Sequence, residues 1–331
     1  MTQLNSRLQK RKRRTRKIMR SLMITGILSF LLLGGAITYF FMQISDVTTA
    51  THKELDRGEK SEKREAAVSP GKDNISILFL GVDSRDEDLS GRTDAMLLAT
   101  FNKKLGTVKL VNIPRDSYVE IPGRRNPDKI NHAHAFGGVD LAVETVENLF
   151  DIPVDYYTKL NFTAFIEIVD ALDGVELEVP FTFTEMDSND KQGAITLHEG
   201  LQTLNGEEAL AYARMRKKDP RGDLGRGERQ QEVIKAIIKK GASLSSINNY
   251  GDVMKSLEEH LSTNLTFGNI LAFHSYASSL NNIESLTLEG KNTRKKGVAY
   301  YELNQENVEE VSVTFQAHLG LIDGVDEETK S

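Results

Sequence analysis

The chain has 331 residues, 42 basic against 48 acidic, a net charge of −6, and neither cysteine nor tryptophan. Without cysteine there is no disulfide, no thiolate metal site and no thiol nucleophile, so a folded body must be held by its core alone. Nine of the lysines and arginines fall in the first twenty residues, and the remainder, 33 basic against 48 acidic, carries −15; that excludes a general nucleic-acid binder and makes any arginine cluster on the acidic body a specific site.

Residues 1–20 hold no acid and precede an uncharged run, 21–45, opened by Ser21, closed by Ser45 and rich in Leu, Ile and Phe. Twenty-five such residues exceed the roughly 20 that a bilayer-spanning helix needs and the about 7 to 15 of a signal-peptide core, so the run is read as a transmembrane signal-anchor. A basic stretch abutting such a run marks the cytoplasmic side, which is a simpler account of 1–20 than a nucleic-acid arm or a lipid-headgroup patch. The expectation is a single-pass cell-membrane protein with a cytoplasmic N-terminus and an extracellular body. Residues 46–73 are polar and charge-mixed and end in Ser69-Pro70-Gly71, a stalk. The remaining 74–331 is the length of one domain with a sizeable core and shows no internal repeat.

The continuous apolar run 75–80 reads as a buried central strand, and 95–101 and 107–113 as two more joined by a turn at 102–106. Paired as an antiparallel meander, these three gather Asp83, Arg85, Arg92, Asp94, Arg115 and Asp116 at one sheet edge. Helices are expected at 138–150 and 162–172 around a strand at 156–160, with a strand at 175–179 after the Asp173-Gly174 turn. The stripe Phe162, Phe165, Ile166 and Val169, with Phe136, Leu149 and Phe150, is read either as ordinary core or as the lining for a lipid tail; periodicity does not choose.

Between Tyr212 and Gln230 five arginines lie among turn-forming glycines and aspartates. Read as a strand ending at Arg216, this run puts Tyr212, Arg214 and Arg216 on one face. Gly222, Gly225 and Gly227 then return Arg226 and Arg229 to the same place at the start of a helix over 228–240. Converging guanidiniums beside a helix start suit phosphate or pyrophosphate. Helices at 266–280 and 306–319 and strands at 283–288 and 299–303 complete an α/β sandwich with a mixed sheet.

Asp83 and Asp94 fit a hard divalent cation such as Mg2+ sharing phosphate oxygens, and equally fit pairing with neighbouring arginines or capping turns. Arg115 follows a strand-ending proline and is expected to face inward rather than to pair with Asp116. His132 and His134 lack a third ligand at zinc spacing and are read as surface or substrate-edge residues. No Ser-His-Asp order, P-loop or dinucleotide fingerprint is present.

Gly81-Val82-Asp83-Ser84-Arg85, Arg92-Thr93-Asp94, Ile113-Pro114-Arg115-Asp116 with Ile121-Pro122-Gly123, Lys129-Ile130-Asn131 with Gly137-Gly138, and the stretch from Leu204-Asn205-Gly206 to Gln230 together resemble the LytR-CpsA-Psr family. The ordered set spans the outer domain, and is most similar to members that attach wall teichoic acid to peptidoglycan in Gram-positive bacteria. The resemblance implies an α-β-α sandwich with a hydrophobic tunnel for polyprenyl lipid. It implies a phosphotransferase that moves an anionic glycopolymer from a polyprenyl-pyrophosphate carrier to a muramic acid hydroxyl of peptidoglycan. It also implies Mg2+ at Asp83 and Asp94, a pyrophosphate shell of Arg85, Arg92, Arg115, Arg214, Arg216 and Arg226, and support from Asp223, Arg229 and Gln230. Asp83 or Asp94, where not committed to metal, would take the acceptor proton. Asp173 stands where the family commonly has glycine. Competing readings are a non-catalytic glycopolymer-binding module, a transferase for capsular or another secondary wall polysaccharide, and a transcription regulator resting on the basic tail alone.

Overall fold

The computed structural model describes residues 51–82, 89–216, 218–241, 257, 260–272 and 282–323. The chain divides into Met1–Asp46 and Val47–Ser331. The basic tail and the apolar run 21–45 lie outside the described residues, among which no helix is long and apolar enough to cross a membrane.

Strands β1 (Ile75–Val82), β2 (Thr93–Asn102) and β3 (Thr107–Asn112) form the expected antiparallel meander. A two-residue pair, β4 (Tyr118–Val119) with β5 (Asp128–Lys129), leads into α1 (His132–Phe150). The expected helix start at Gly138 is a kink instead: Gly137 and Gly138 are non-helical, and Gly138 has φ 65°, where glycine carries no Cβ penalty. Next come β6 (Tyr156–Leu160), α2 (Phe162–Ala171), capped by the Asn161 side chain, and β7 (Val175–Val179). Asp173 and Gly174 in the turn between them have φ 55° and 76°, so the aspartate occupies a left-handed position.

Beyond β7 lie β8 (Phe183–Glu185), β9 (Ile195–Leu197) and β10 (Gly200–Leu204). The strand expected at the start of the arginine-rich run is a helix, α3 (Gly206–Arg214). Asn205 accepts from the Glu208 backbone while the Glu208 carboxylate accepts from the Asn205 backbone, a capping box that fixes its start. Helix α4 (Asp223–Gly241) begins five residues before the expected 228. Then follow β11 (Leu261–Thr263), α5 (Phe267–Ala272), β12 (Ile283–Leu286), β13 (Gly290–Lys295), β14 (Val298–Leu303) and α6 (Gln305–Leu319).

The main sheet has the order β11-β6-β1-β2-β3-β12 and is mixed, β6 running parallel to β1 and β12 parallel to β3. Two expected strands stay out of it: β7 pairs with β10, and β14 pairs with β13 in a separate hairpin. Alternation along the central strands sorts their side chains into two layers. Leu78, Leu80, Met96, Leu98, Val111 and Ile113 pack with α1 and α6, where Phe150 and Phe315 meet edge to face at 5.9 Å. Ile77, Leu97, Ala99, Phe101, Val108 and Leu110 form the opposite layer, against which Ile234 and Ile238 of α4 pack. A third apolar cluster joins α2, α3 and α4 to β7–β10. Each buried Leu, Ile or Phe contributes about 1.5–3 kcal/mol.

From residue 51 onward the segment expected as a stalk belongs to the body. Leu55 enters the core, the Arg57 guanidinium meets the buried Glu147 carboxylate at 2.6 Å, Ser61 donates to the same carboxylate, and Arg64 grips the buried Asp155 at 2.7 Å. Arg57, Lys63 and Arg64, among the charges that make 51–73 look like linker in sequence, meet tertiary partners some ninety residues away.

Candidate active site

The carboxyl end of β1 and the start of β2 form the floor of a mainly apolar cavity of about 550 Å³. Gly81 faces Ala95, where an added Cβ would stand 3.2 Å from the alanine methyl, and Ala213 lies on the far wall; small residues leave the space open. Phe79, Val82 and Leu97 of the sheet, Phe162 and Phe165 of α2, Leu210 of α3 and Val233 and Ile234 of α4 line it. The apolar stripe of α2 thus serves two purposes, since Phe162 and Phe165 wall the cavity while Val169 is fully buried core. Phe150 is core as well, and Phe136 is 44 % exposed.

At one end the lining turns polar. Asp94, Arg216, Gly222, Arg226 and Gln230 line both this cavity and a second one of about 380 Å³, which is completed by Asn112, Arg115, Asp116, Arg221, Asn292 and Tyr301 among others. The two spaces therefore share a polar wall.

The backbone explains how that wall is assembled. Helix α3 ends at Arg214, and Met215 is already extended (φ −56°, ψ 128°) and buried. Arg214 and Arg216, on either side of it, both reach the first cavity, which is the juxtaposition expected from a strand, achieved by a helix that stops in time. Tyr212 does not join them: it is buried, donating to Glu232 at 2.5 Å and to the Glu178 carbonyl. Arg214 lies over the Phe162 ring, 4.8 Å from its centroid, and meets Asp190 at 3.2 Å.

Arg229 points away from the cavities, is 1 % exposed, and holds the loop in place. It donates to the carbonyls of Tyr212 and Met215 and to the Asp219 carboxylate, tying the end of α3, the 216–222 turn and α4 together. Asp219 is equally buried; desolvation alone would raise its pKa, but Arg229, the Arg221 backbone and the Arg221 side chain hold it below the usual carboxylate value. Sequence reasoning missed Asp219, although an acid before a proline amid five arginines is the signal that would have found it.

On the sheet edge Arg115 forms an ion pair with Asp94 across β2 and β3, so it faces inward as expected, while Asp116 pairs with Lys129 at 2.7 Å. Arg92 is exposed just before β2 and lines neither cavity. Asp83 and Arg85 lie outside the described residues, as does the side chain of Asp223, which opens α4. Asp94 is the single carboxylate among the described residues that lines both cavities, and those residues contain no group of three potential metal ligands. Buried beside it, Thr93 Oγ1 lacks a hydrogen-bond partner, and so does Asn112 Oδ1.

The two histidines differ. His132 is half-buried and pairs with Asp128 at 2.9 Å. His134 is buried, its Nδ1 bonded to the Gly91 carbonyl at 2.6 Å, and burial lowers its pKa.

The LytR_cpsA_psr family model matches residues 38–317. The chain is 42% identical over 323 residues to the polyisoprenyl-teichoic acid–peptidoglycan teichoic acid transferase TagT of Bacillus subtilis, covering 96% of this chain and 99% of that protein. It is 40% identical over 301 residues to the corresponding transferase TagU of Halalkalibacterium halodurans, covering 90% and 97%. Among solved structures, TagT bound to LIIa-WTA superimposes with a TM-score of 0.71 at 44% identity, and TagT with bound octaprenyl pyrophosphate lipid with 0.66 at 41%; each match covers 81% of this chain and all of the other.

Proposed function

The chain belongs to the LytR-CpsA-Psr family, and from that membership we propose that it transfers wall teichoic acid from a polyprenyl-pyrophosphate carrier to a muramic acid hydroxyl of peptidoglycan, releasing polyprenyl phosphate. The observation that carries this reading is the shared wall. An apolar cavity suited to a prenyl chain and a polar cavity suited to a hydroxyl-bearing acceptor meet at Arg216, Arg226, Gln230 and Asp94. A pyrophosphate joining a lipid to a sugar has the same order of parts.

The acceptor oxygen attacks the sugar-side phosphorus, the bond from that phosphorus to the bridging oxygen breaks, and the leaving polyprenyl phosphate keeps the bridging oxygen and its electron pair. Positioning and charge neutralisation supply most of the catalysis in such a transfer. Arg216 and Arg226, on the wall, take the developing charge; Arg214 extends the grip on the lipid side and Arg115 on the acceptor side. Phe162 and Phe165 keep water from the prenyl chain. Asp94, placed on both cavities, accepts the acceptor proton or joins Asp83 in holding Mg2+. Bound there, Mg2+ would neutralise pyrophosphate charge. Arg229 and Asp219 act only by fixing the loop that carries Arg216.

The run 21–45 would anchor the chain in the cell membrane with 1–20 in the cytoplasm and the body outside. The test is incubation of the full chain in detergent with a lipid-linked teichoic acid precursor and uncrosslinked peptidoglycan, with Mg2+ or with chelator, followed by mass spectrometry. Phosphodiester-linked polymer with equimolar polyprenyl phosphate is expected, and only with Mg2+. Tight donor binding without product would reduce the protein to a binding module, and product from a capsular precursor alone would change the polymer.

A further inference from the structure

Beside the polar cavity runs a continuous strip of half-exposed rings and charges that the core does not use. Tyr118 of β4 meets Tyr300 of β14 edge to face at 4.9 Å; Tyr300 stands beside Asp128 of β5; Asp128 meets His132 at 2.9 Å; and His132 meets Phe136, both in the first half of α1, at 5.6 Å. Cations lie over three of these rings: Lys295 over Tyr118 at 4.3 Å, Lys129 over Tyr300 at 5.8 Å and Arg124 over Phe136 at 4.2 Å. None of the four rings belongs to any of the three apolar clusters. Two distant stretches of the chain, 118–136 and the β13–β14 hairpin, converge to build the strip without burying it, which is poor use of aromatic side chains unless something else covers them.

The strip is joined to the reaction site at two points. Lys129, above the Tyr300 ring, pairs with Asp116, which lines the polar cavity beside Arg115. The neighbour of Tyr300, Tyr301, lines that cavity too, and its backbone N–H donates to the Asp116 carbonyl. Along the β13–β14 hairpin, Asn292 is opposite Tyr301 and faces the cavity, while Lys295 and Tyr300 lie on the face turned to Tyr118. A ligand extending out of the polar cavity past Asp116 therefore meets Tyr300 and Tyr118 first, and then Asp128, His132 and Phe136.

We propose that the Tyr118, Tyr300, His132 and Phe136 strip is the acceptor subsite, and that it binds a glycan strand bearing carboxylates. Pyranose rings present C–H faces that pack on aromatic surfaces, their hydroxyls and N-acetyl groups pair with Asp128 and His132, and lactyl or peptide carboxylates meet Lys129, Lys295 and Arg124. A polyphosphate chain would call for cations without the rings. A nucleic acid would be repelled by a body carrying −15 beyond its N-terminal tail. This inference rests on the transferase reading for the identity of the acceptor but not for the binding itself.

Two measurements on the full chain separate these. In the first, a soluble uncrosslinked oligomer of N-acetylglucosaminyl-N-acetylmuramic acid units with peptide stems is titrated, without donor and with chelator, into wild type, Phe136→Ala, Tyr118→Ala, Arg124→Gln and, as a control, Leu105→Ser in the exposed β2–β3 turn at the other end of the sheet. Binding weakened about tenfold by each strip variant and unchanged in Leu105→Ser is expected. Equal binding by the strip variants, no binding to wild type, or equal strip-dependent binding of a single-stranded oligonucleotide overturns the proposal. In the second, the transfer reaction is run at varied acceptor and varied donor. The strip variants are expected to raise the acceptor KM about tenfold with donor KM unchanged, and Tyr300→Phe, which keeps the ring, to stay within about twofold of wild type; a rise in donor KM instead overturns it. Strip-dependent binding in a protein that transfers nothing would sink the transferase reading and leave the subsite standing.

Discussion

Single side chains divide into those that face the shared wall and those that hold it. Arg216→Ala and Arg115→Ala remove charge from a partly exposed site, so transfer should fall at least about a hundredfold while the urea midpoint stays near wild type. Asp219→Ala does the reverse in order of cause: it strands the buried Arg229 charge, costs on the order of 3–5 kcal/mol, and lowers activity only through the loop. Equilibrium unfolding beside turnover distinguishes the two classes. A different residue sets the acid limit of stability. His318 is buried between Thr100 and Thr107, bonded through both ring nitrogens, and burial together with the nearby Lys109 charge pushes its pKa down to about 4. The unfolded chain takes up that proton near the ordinary 6.5, before the folded one does. Its contribution is thus complete above about pH 6.5 and lost as the pH falls towards 4, at most about 3 kcal/mol. Denaturant titrations at pH 7 and pH 5 should show this fall, and His318→Gln should flatten it; an unchanged slope would remove His318 as the cause.

At the scale of elements, legibility followed whether a segment's neighbours were local. The meander β1–β3 could be read because its strands alternate between two buried layers and β2 and β3 are joined by a short turn, and with it came the closeness of Asp94 and Arg115 at one edge. Helix α3 was misread because Tyr212, Arg214 and Arg216 mimic a two-residue period, although Asn205 and Glu208 carry a helix-start signature three residues apart. Asn205→Ala should cost about 1 kcal/mol and loosen the helix whose last residue is Arg214, seen as a lower melting temperature and faster amide exchange across Gly206–Arg214. The kink in α1 was visible as two adjacent glycines, but the outward placing of His132 and Phe136 in the turn before it depends on packing that no spacing encodes. Strand β14 looked like sheet and is sheet, yet its partner is β13, because apolar alternation specifies a face and not a neighbour.

For the whole molecule the largest departure is the segment 51–73. Starting the chain at Lys72 removes Leu55 from the core and leaves the buried carboxylates of Glu147 and Asp155 without Arg57 and Arg64. Such a fragment should be at least about 3 kcal/mol less stable than one starting at Val47, and a matching urea midpoint would show the segment to be dispensable. Nothing in that segment's own composition announced this, since its partners lie in α1 and before β6. The two cavities, by contrast, join residues from β2, β3, the α3 end and α4 at a thin partition made by Asp94, Arg216, Gly222, Arg226 and Gln230. Such a partition is a boundary between an oily phase and an aqueous one, and a bond exchanged across it sorts its own products. The apolar fragment stays dissolved on one side and the hydrated fragment drifts off on the other, so the reverse encounter requires both to return to the boundary together. Separation of the two products slows the reverse encounter, while the exchange of a pyrophosphate bond for a phosphodiester sets the direction, so polymer once delivered is seldom taken back.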